Sequence, residues 1–311
     1  VVTFEKRGPR VDRGFLFINK DDGKFNPTTE DMNEDKKVFS RAPVIDYRVI
    51  RPSVFLQKGG NTVIQIQQVS TFNIEGCQVS FITPNAVTMF YNKSWKEYEN
   101  AVKIYDTIIK SNLSGKDEYN VRLQDTSKLY DYFEHIQASV ITIYSAIEAL
   151  CNIAIPKNFT LTKKNSKGVK EIWDKSSIEK WIPTEEKVGK IIPEILNIES
   201  PKKLPIWKSF KELKEIRDSI IHQKQSFKNP IEIESSFLKF LLDQSIFRKI
   251  MSGFELIRYF CAKDRMHTYF PILDDEVPLH VNIVDDVSGD LASEAFEHFV
   301  KATLETKPPT K

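Results

Sequence analysis

The sequence predicts an α+β protein: a small β-rich N-terminal domain over residues 1–86, followed by an all-α helical bundle over 87–311. Three observations point there. Before Pro84 the apolar residues alternate at period two. After it they recur at helical spacing. The chain of 311 residues is also long enough for two cores without disulfides or structural metals.

The elements follow in order. "FLFIN" (15–19) and "VIDYRVI" (44–50) read as strands, as does "TVIQIQQVSTFNIEGCQVSFIT" (62–83), which alternates β-branched and aromatic residues and breaks at Glu75-Gly76. Gly59-Gly60-Asn61 reads as a hairpin turn. The polar, acidic run 21–37 reads as an exposed loop. Beyond Pro84, helices are expected at about 90–111, 117–154, 185–197, 204–224, 235–263 and 290–306. The Lys- and Ser-rich stretch 156–184 reads as a surface connection. "HTYFPILDDEVPLHVNIV" (267–284) reads as extended chain that rejoins a sheet.

Composition narrows the function classes. Charged residues make up 28% and apolar ones 41%, the balance of an ordinary globular chain. With 45 basic and 43 acidic side chains the net charge is +2, so bulk charge supplies no drive toward nucleic acid or a membrane surface. Cys77, Cys151 and Cys261 lie far apart with no CxxC and no Cys/His cluster, which argues against zinc and for a reducing compartment. The opening "VVTFEKRGPR" has no signal-peptide pattern, and no uncharged apolar run reaches the roughly 20 residues of a membrane helix. The expectation is a cytoplasmic protein that needs no membrane. There is no GxGxxG, GxxxxGK[ST] or GxSxG, so nucleotide-hydrolase and α/β-hydrolase readings have no support.

The stretch "EIRDSIIHQK" (215–224) breaks a pattern. On a helical wheel Ile206, Phe210, Leu213, Ile216, Ile220 and Ile221 share a sector of about 140°, and Arg217 falls inside it. Asp218 and His222 lie together at its side, as an i, i+4 pair. A guanidinium facing a core needs partners, because burying it unpaired costs several kcal/mol. The candidate partner is Glu148, the only charged residue in the apolar helix "ASVITIYSAIEALCNIAI" (138–155).

Taken together, the buried helix with "YSAIEALCN", the short helix "TEEKVGKIIPEIL" and the aromatic-led helix "PIWKSFKELKEIRDSIIHQK" resemble a HEPN (higher eukaryotes and prokaryotes nucleotide-binding) domain over about residues 118–263. The family motif is Arg, four to six residues, then His, often with a polar residue directly after the Arg. Arg217 and His222 have four residues between them, and Asp218 takes the polar place where Asn is commoner. The resemblance implies metal-independent RNA cleavage with no cofactor, in a homodimer that pairs two Arg/His sets across the bundle. It also implies a toxin-like or antiviral effector role. His222 would be the general acid or base at the ribose 2′-OH or the leaving 5′-oxygen, and Arg217 would stabilise the phosphorane charge. Asp218 would orient or tune His222, with Glu148 in support. The N-terminal domain would meet a protein or ligand not readable from the sequence.

Alternatives stay open at this level. Arg217 paired with Glu148 and His222 at a helix end describe an ordinary structural arrangement equally well. A HEPN-fold binding or dimerisation module, or a regulatory subunit of a larger complex, would carry the same motif. His135 reads as a helix-face histidine and Cys151 as a packed thiol. His267, His280 and His298 have no companions at metal or triad spacing. The lysines at 163, 164, 167 and 170 read as a solvated face or as a rim for RNA phosphates.

Overall fold

A computed structural model describes residues 2–3, 13–19, 39–40, 46–57, 62–113, 118–164, 168–222, 237–263, 270–273 and 279–284. The chain mixes strands and helices, with helix predominating. It divides into two compact units. One draws on 1–85, 152–182 and 261–311, and the other on 86–151 and 183–260.

The first unit holds a sheet of strands β1 (Val2–Thr3), β2 (Arg13–Asn19), β3 (Phe39–Ser40), β4 (Ser53–Gln57), β5 (Thr62–Ile74), β6 (Cys77–Ile82) and β9 (Leu279–Val284). Their order is β1-β2-β5-β4-β9-β3, with β6 added on β5. The long β5 organises it. Its first half pairs antiparallel with β2, from Arg13↔Gln68 to Asn19↔Thr62, and its second half pairs with β6. The β5–β6 turn is Glu75-Gly76, both at positive φ (52° and 82°), and Ile74 lies opposite Cys77. Two left-handed residues match the twist of a two-residue hairpin, which is why glycine suits the second position. Asn73 Oδ1 accepts the Gly76 N–H at 3.0 Å and closes the turn. Strand β9 runs parallel to β4, from Val54↔Val281 to Gln57↔Val284.

Two expectations shift here. Residues 46–50 of the anticipated strand 44–50 form a turn, and the strand falls at 53–57 instead. Asp46 Oδ1 accepts the backbone N–H of Arg48 at 2.8 Å, and this side-chain-to-backbone bond competes with a sheet ladder. The segment 156–184 is more than a connection. It contains a two-stranded hairpin, β7 (Leu161–Lys164) with β8 (Lys170–Trp173), and a helix α4 (Lys175–Trp181) capped by Asp174, which accepts the Ser177 N–H at 2.8 Å. The lysines gave the segment a solvated look, yet Leu161, Ile178 and Ile182 are buried. The turn at 59–61, the acidic run 21–37 and the helix expected at 290–306 lie outside the described residues.

The second unit is a stack of helices. Helix α1 (Ala86–Ile104) passes through a π-helical turn (Tyr105–Lys110) into α2 (Ser111–Leu113). Helix α3 (Thr126–Ala154) is the longest. Then come α5 (Thr184–Glu186), a π turn (Lys187–Ile191) and α6 (Ile192–Leu196), which stops at Asn197 in the left-handed conformation. Helices α7 (Ile206–Ile221), α8 (237–242) and α9 (Ser245–Lys263) complete it.

Helix α3 buries Tyr132, Ile136, Val140, Ile143, Tyr144, Ile147, Leu150 and Cys151, a stripe at helical spacing. By length and composition the span Leu123–Ala154 could cross a membrane, but half of its apolar window is buried inside the protein. The neighbours that bury it are specific. Ser94 of α1 and Ser139 of α3 exchange hydroxyl and carbonyl hydrogen bonds. Tyr144 stacks on Phe210 of α7, with ring planes 7° apart. Gly253 of α9 sits where a Cβ would come within 2.6 Å of Ile143, so only glycine allows this approach. Tyr91 and Trp95 of α1 pack edge-on against Phe254. Helix α3 is the core helix of this unit.

Candidate functional site

The polar residues singled out on α3 and α7 converge. Tyr144 and Glu148 stand one turn apart on α3 and so share a face. The stacking of Tyr144 on Phe210 brings α7 alongside, which sets Arg217 over the Tyr144 ring, 4.6 Å from its centroid. From there Arg217 Nη2 donates to Glu148 Oε1 at 3.1 Å, and Nη1 donates to Asp218 Oδ1 at 2.8 Å. Lys214, one turn earlier on α7, binds Asp218 Oδ2 at 2.8 Å. Thr184, the first residue of α5, donates to Glu148 Oε1 at 3.2 Å. The cluster holds two cations and two carboxylates and is locally neutral.

The cluster is half open. The side chain of Arg217 is 23% exposed, Asp218 34% and Glu148 37%. Glu148 Oε1 takes both of its hydrogen bonds, and Oε2 receives none from the described residues. Burial alone would raise the Asp218 carboxyl. Hydrogen bonds and charge from Lys214 and Arg217 outweigh this and hold it below the usual carboxylate range. Burial pushes the Tyr144 phenol up to about 12, so it stays neutral under the guanidinium at ordinary pH. The Cys151 thiol, also on α3, is sealed in the core. Burial pushes it up to about 12, which leaves it inert.

His222 caps the C-terminus of α7. Its backbone leaves the helix at φ −109° and ψ 51°, its N–H donates to Asp218 O at 2.9 Å, and its side chain is exposed. Asp218 and His222 therefore meet through the backbone, while both carboxylate oxygens of Asp218 are taken by Arg217 and Lys214. Among the described residues there is no group of three His, Cys, Asp or Glu placed to hold a metal ion. Comparison with protein-family models, with curated proteins and with solved structures finds no match.

The sequence pattern paired Arg217 with Glu148 and missed three other members. Lys214 had a signal, since Lys and Asp four apart on a helix are neighbours. Tyr144 had a weaker one, its i−4 position to Glu148. Thr184 had none, because a hydroxyl at the start of a short helix is brought to Glu148 by tertiary structure alone. A second cluster was also missed. Glu97 of α1 binds Lys93 through Oε1 at 2.5 Å and His135 of α3 through Oε2 at 2.5 Å. Of the basic-rim lysines, Lys163 and Lys164 lie on β7 and Lys170 on β8, and position 167 is outside the described residues.

Proposed function

We propose that the helical unit is a HEPN-type, metal-independent endoribonuclease that works as a homodimer on RNA. The observation that carries this reading is the presentation of Arg217. The guanidinium is fixed by the Tyr144 ring, Glu148 and Asp218 and stays 23% exposed, on the helix that ends in exposed His222. A planar cation held in place and partly exposed suits a phosphate, whose oxygens match its fork. His222 supplies the proton transfer. The internal 2′-OH is the nucleophile, so RNA is cut and DNA is spared. A cytoplasmic toxin or antiviral role follows from the family resemblance alone, with the N-terminal part sensing or recruiting.

A second reading has its own observation. Both terminal nitrogens of Arg217 already bind carboxylates, so the arginine is satisfied without a ligand. This favours a HEPN-fold binding or dimerisation module without cleavage, on its own or as a subunit of a larger complex.

Cleavage of single-stranded RNA in EDTA separates the two. The nuclease reading expects 2′,3′-cyclic phosphate ends, and loss of cutting in Arg217→Ala and His222→Ala with the fold kept intact. Equal inertness of wild type and both variants on diverse RNAs would leave the binding module standing.

A further inference from the structure

We infer that Glu148 is the general base of this site, taking the proton from the ribose 2′-OH, so that His222 serves as the general acid. The inference rests on the nuclease reading and assigns roles within it.

What decides between the two carboxylates is which oxygen is available. Asp218 cannot accept a substrate proton without breaking a charge-assisted bond, because Lys214 and Arg217 occupy one oxygen each. Glu148 differs. Its two bonds, from Thr184 and Arg217, converge on Oε1, and no described residue donates to Oε2. The carboxylate is thereby locked in orientation with one oxygen uncommitted, on a side chain 37% exposed. A base needs that combination of fixed direction and a free lone pair facing its substrate.

Position relative to Arg217 matters as much. A phosphate that meets the exposed part of the guanidinium meets it beside Glu148, since the two side chains are 3.1 Å apart. The inference requires the ribose 2′-oxygen adjoining that phosphate to reach Oε2. Thr184 has a defined part as a positioning residue. Its hydroxyl holds Oε1, which leaves Oε2 to the substrate.

The step balances. Oε2 takes the 2′-OH proton while the 2′-oxygen forms its bond to phosphorus. The bond from phosphorus to the 5′-oxygen breaks, and protonated His222 gives its proton to that oxygen. The products are a 2′,3′-cyclic phosphate and a 5′-hydroxyl. Glu148 is left protonated and His222 neutral, and exchange with water restores both. His222 stands about 7.5 Å past Arg217 along the axis of α7, at its exposed end, and Glu148 belongs to α3.

The test is the pH dependence of kcat/KM for a single-stranded RNA oligonucleotide in EDTA, for the full chain and for Glu148→Gln, Glu148→Asp and Thr184→Val. The expected result is an acidic limb in wild type that disappears in Glu148→Gln, with a rate loss of about 10²–10⁴-fold. Glu148→Asp keeps the limb at a reduced rate and guards against a folding defect in the glutamine variant. Thr184→Val keeps the limb and loses rate to a smaller degree. If Glu148→Gln is slower by one factor at every pH, Glu148 only holds Arg217, and the assignment is overturned while the nuclease reading survives. A glutamine variant as fast as wild type overturns it too. Wild type inert on RNA of every sequence tried overturns the nuclease reading and this assignment together.

Discussion

Helix α3 is joined to its neighbours by two carboxylates that look alike in sequence and differ in structure. Glu97, reaching from α1, has both oxygens filled, by Lys93 and by His135, and its side chain is 10% exposed. Glu148, reaching from α3 itself, spends one oxygen on two donors and keeps the other open, at 37% exposure. The first arrangement is saturated and closed, as a clasp between helices requires. The second is held in place with one oxygen uncommitted, the property on which the proposed role as base rests. What separates the two carboxylates is the spare acceptor and the greater exposure, rather than the residue type.

Stability should separate the two carboxylates most widely. Glu97→Gln leaves Lys93 and His135 with a neutral acceptor in a nearly buried place, and should destabilise by about 1–3 kcal/mol. Glu148→Gln sits among partly exposed partners and should cost no more than about 1 kcal/mol. Urea unfolding of both variants checks the order. A reversal would mean that the open cluster is the true clasp.

Acid is the next lever. The Glu97 carboxyl, which burial would raise, is brought below its ordinary range by Lys93 and His135, and Asp218 is brought down in the same way by Lys214 and Arg217. A carboxyl with a lowered folded-state value stabilises above its unfolded value and loses that contribution as pH falls through the folded one. Stability should therefore be level near neutrality and decline below about pH 4. In Glu97→Gln the decline should be shallower. Melting temperature against pH is the readout, and an unchanged slope in that variant would remove Glu97 as a source of the acid sensitivity.

The finest distinction lies on α7, between two adjacent isoleucines. Ile220→Ser should cost a few kcal/mol because Ile220 is buried, whereas Ile221→Ser should stay within about 0.5 kcal/mol. Ile221 is 48% exposed, although the wheel put both isoleucines in the apolar sector. Urea midpoints of the two variants give the difference directly, and equal losses would place Ile221 in the core after all.

That pair shows how far the sequence could be read. Periodicity located α3, α7 and α9, because a buried stripe must repeat at the helical period. It also placed Glu148 and Arg217 as the lone charges of two apolar surroundings, from which their pairing followed. It overextended the stripe to Ile221, since a wheel has no knowledge of where the neighbouring helix ends. The hairpin and helix in 156–184 were hidden because lysines dominate the composition of the segment while Leu161 and Ile178 do the packing. Thr184 and the Glu97–His135 clasp were illegible for one common reason. Each joins elements distant in sequence, and only tertiary structure brings them together.

The most direct test of the distinction between the two carboxylates is the RNA cleavage rate of Glu97→Gln and Glu148→Gln, measured side by side in EDTA below both melting temperatures. Glu97→Gln should cut within about twofold of wild type, and Glu148→Gln at least about a hundredfold more slowly. Equal losses in the two variants, or full activity in Glu148→Gln, would contradict the distinction.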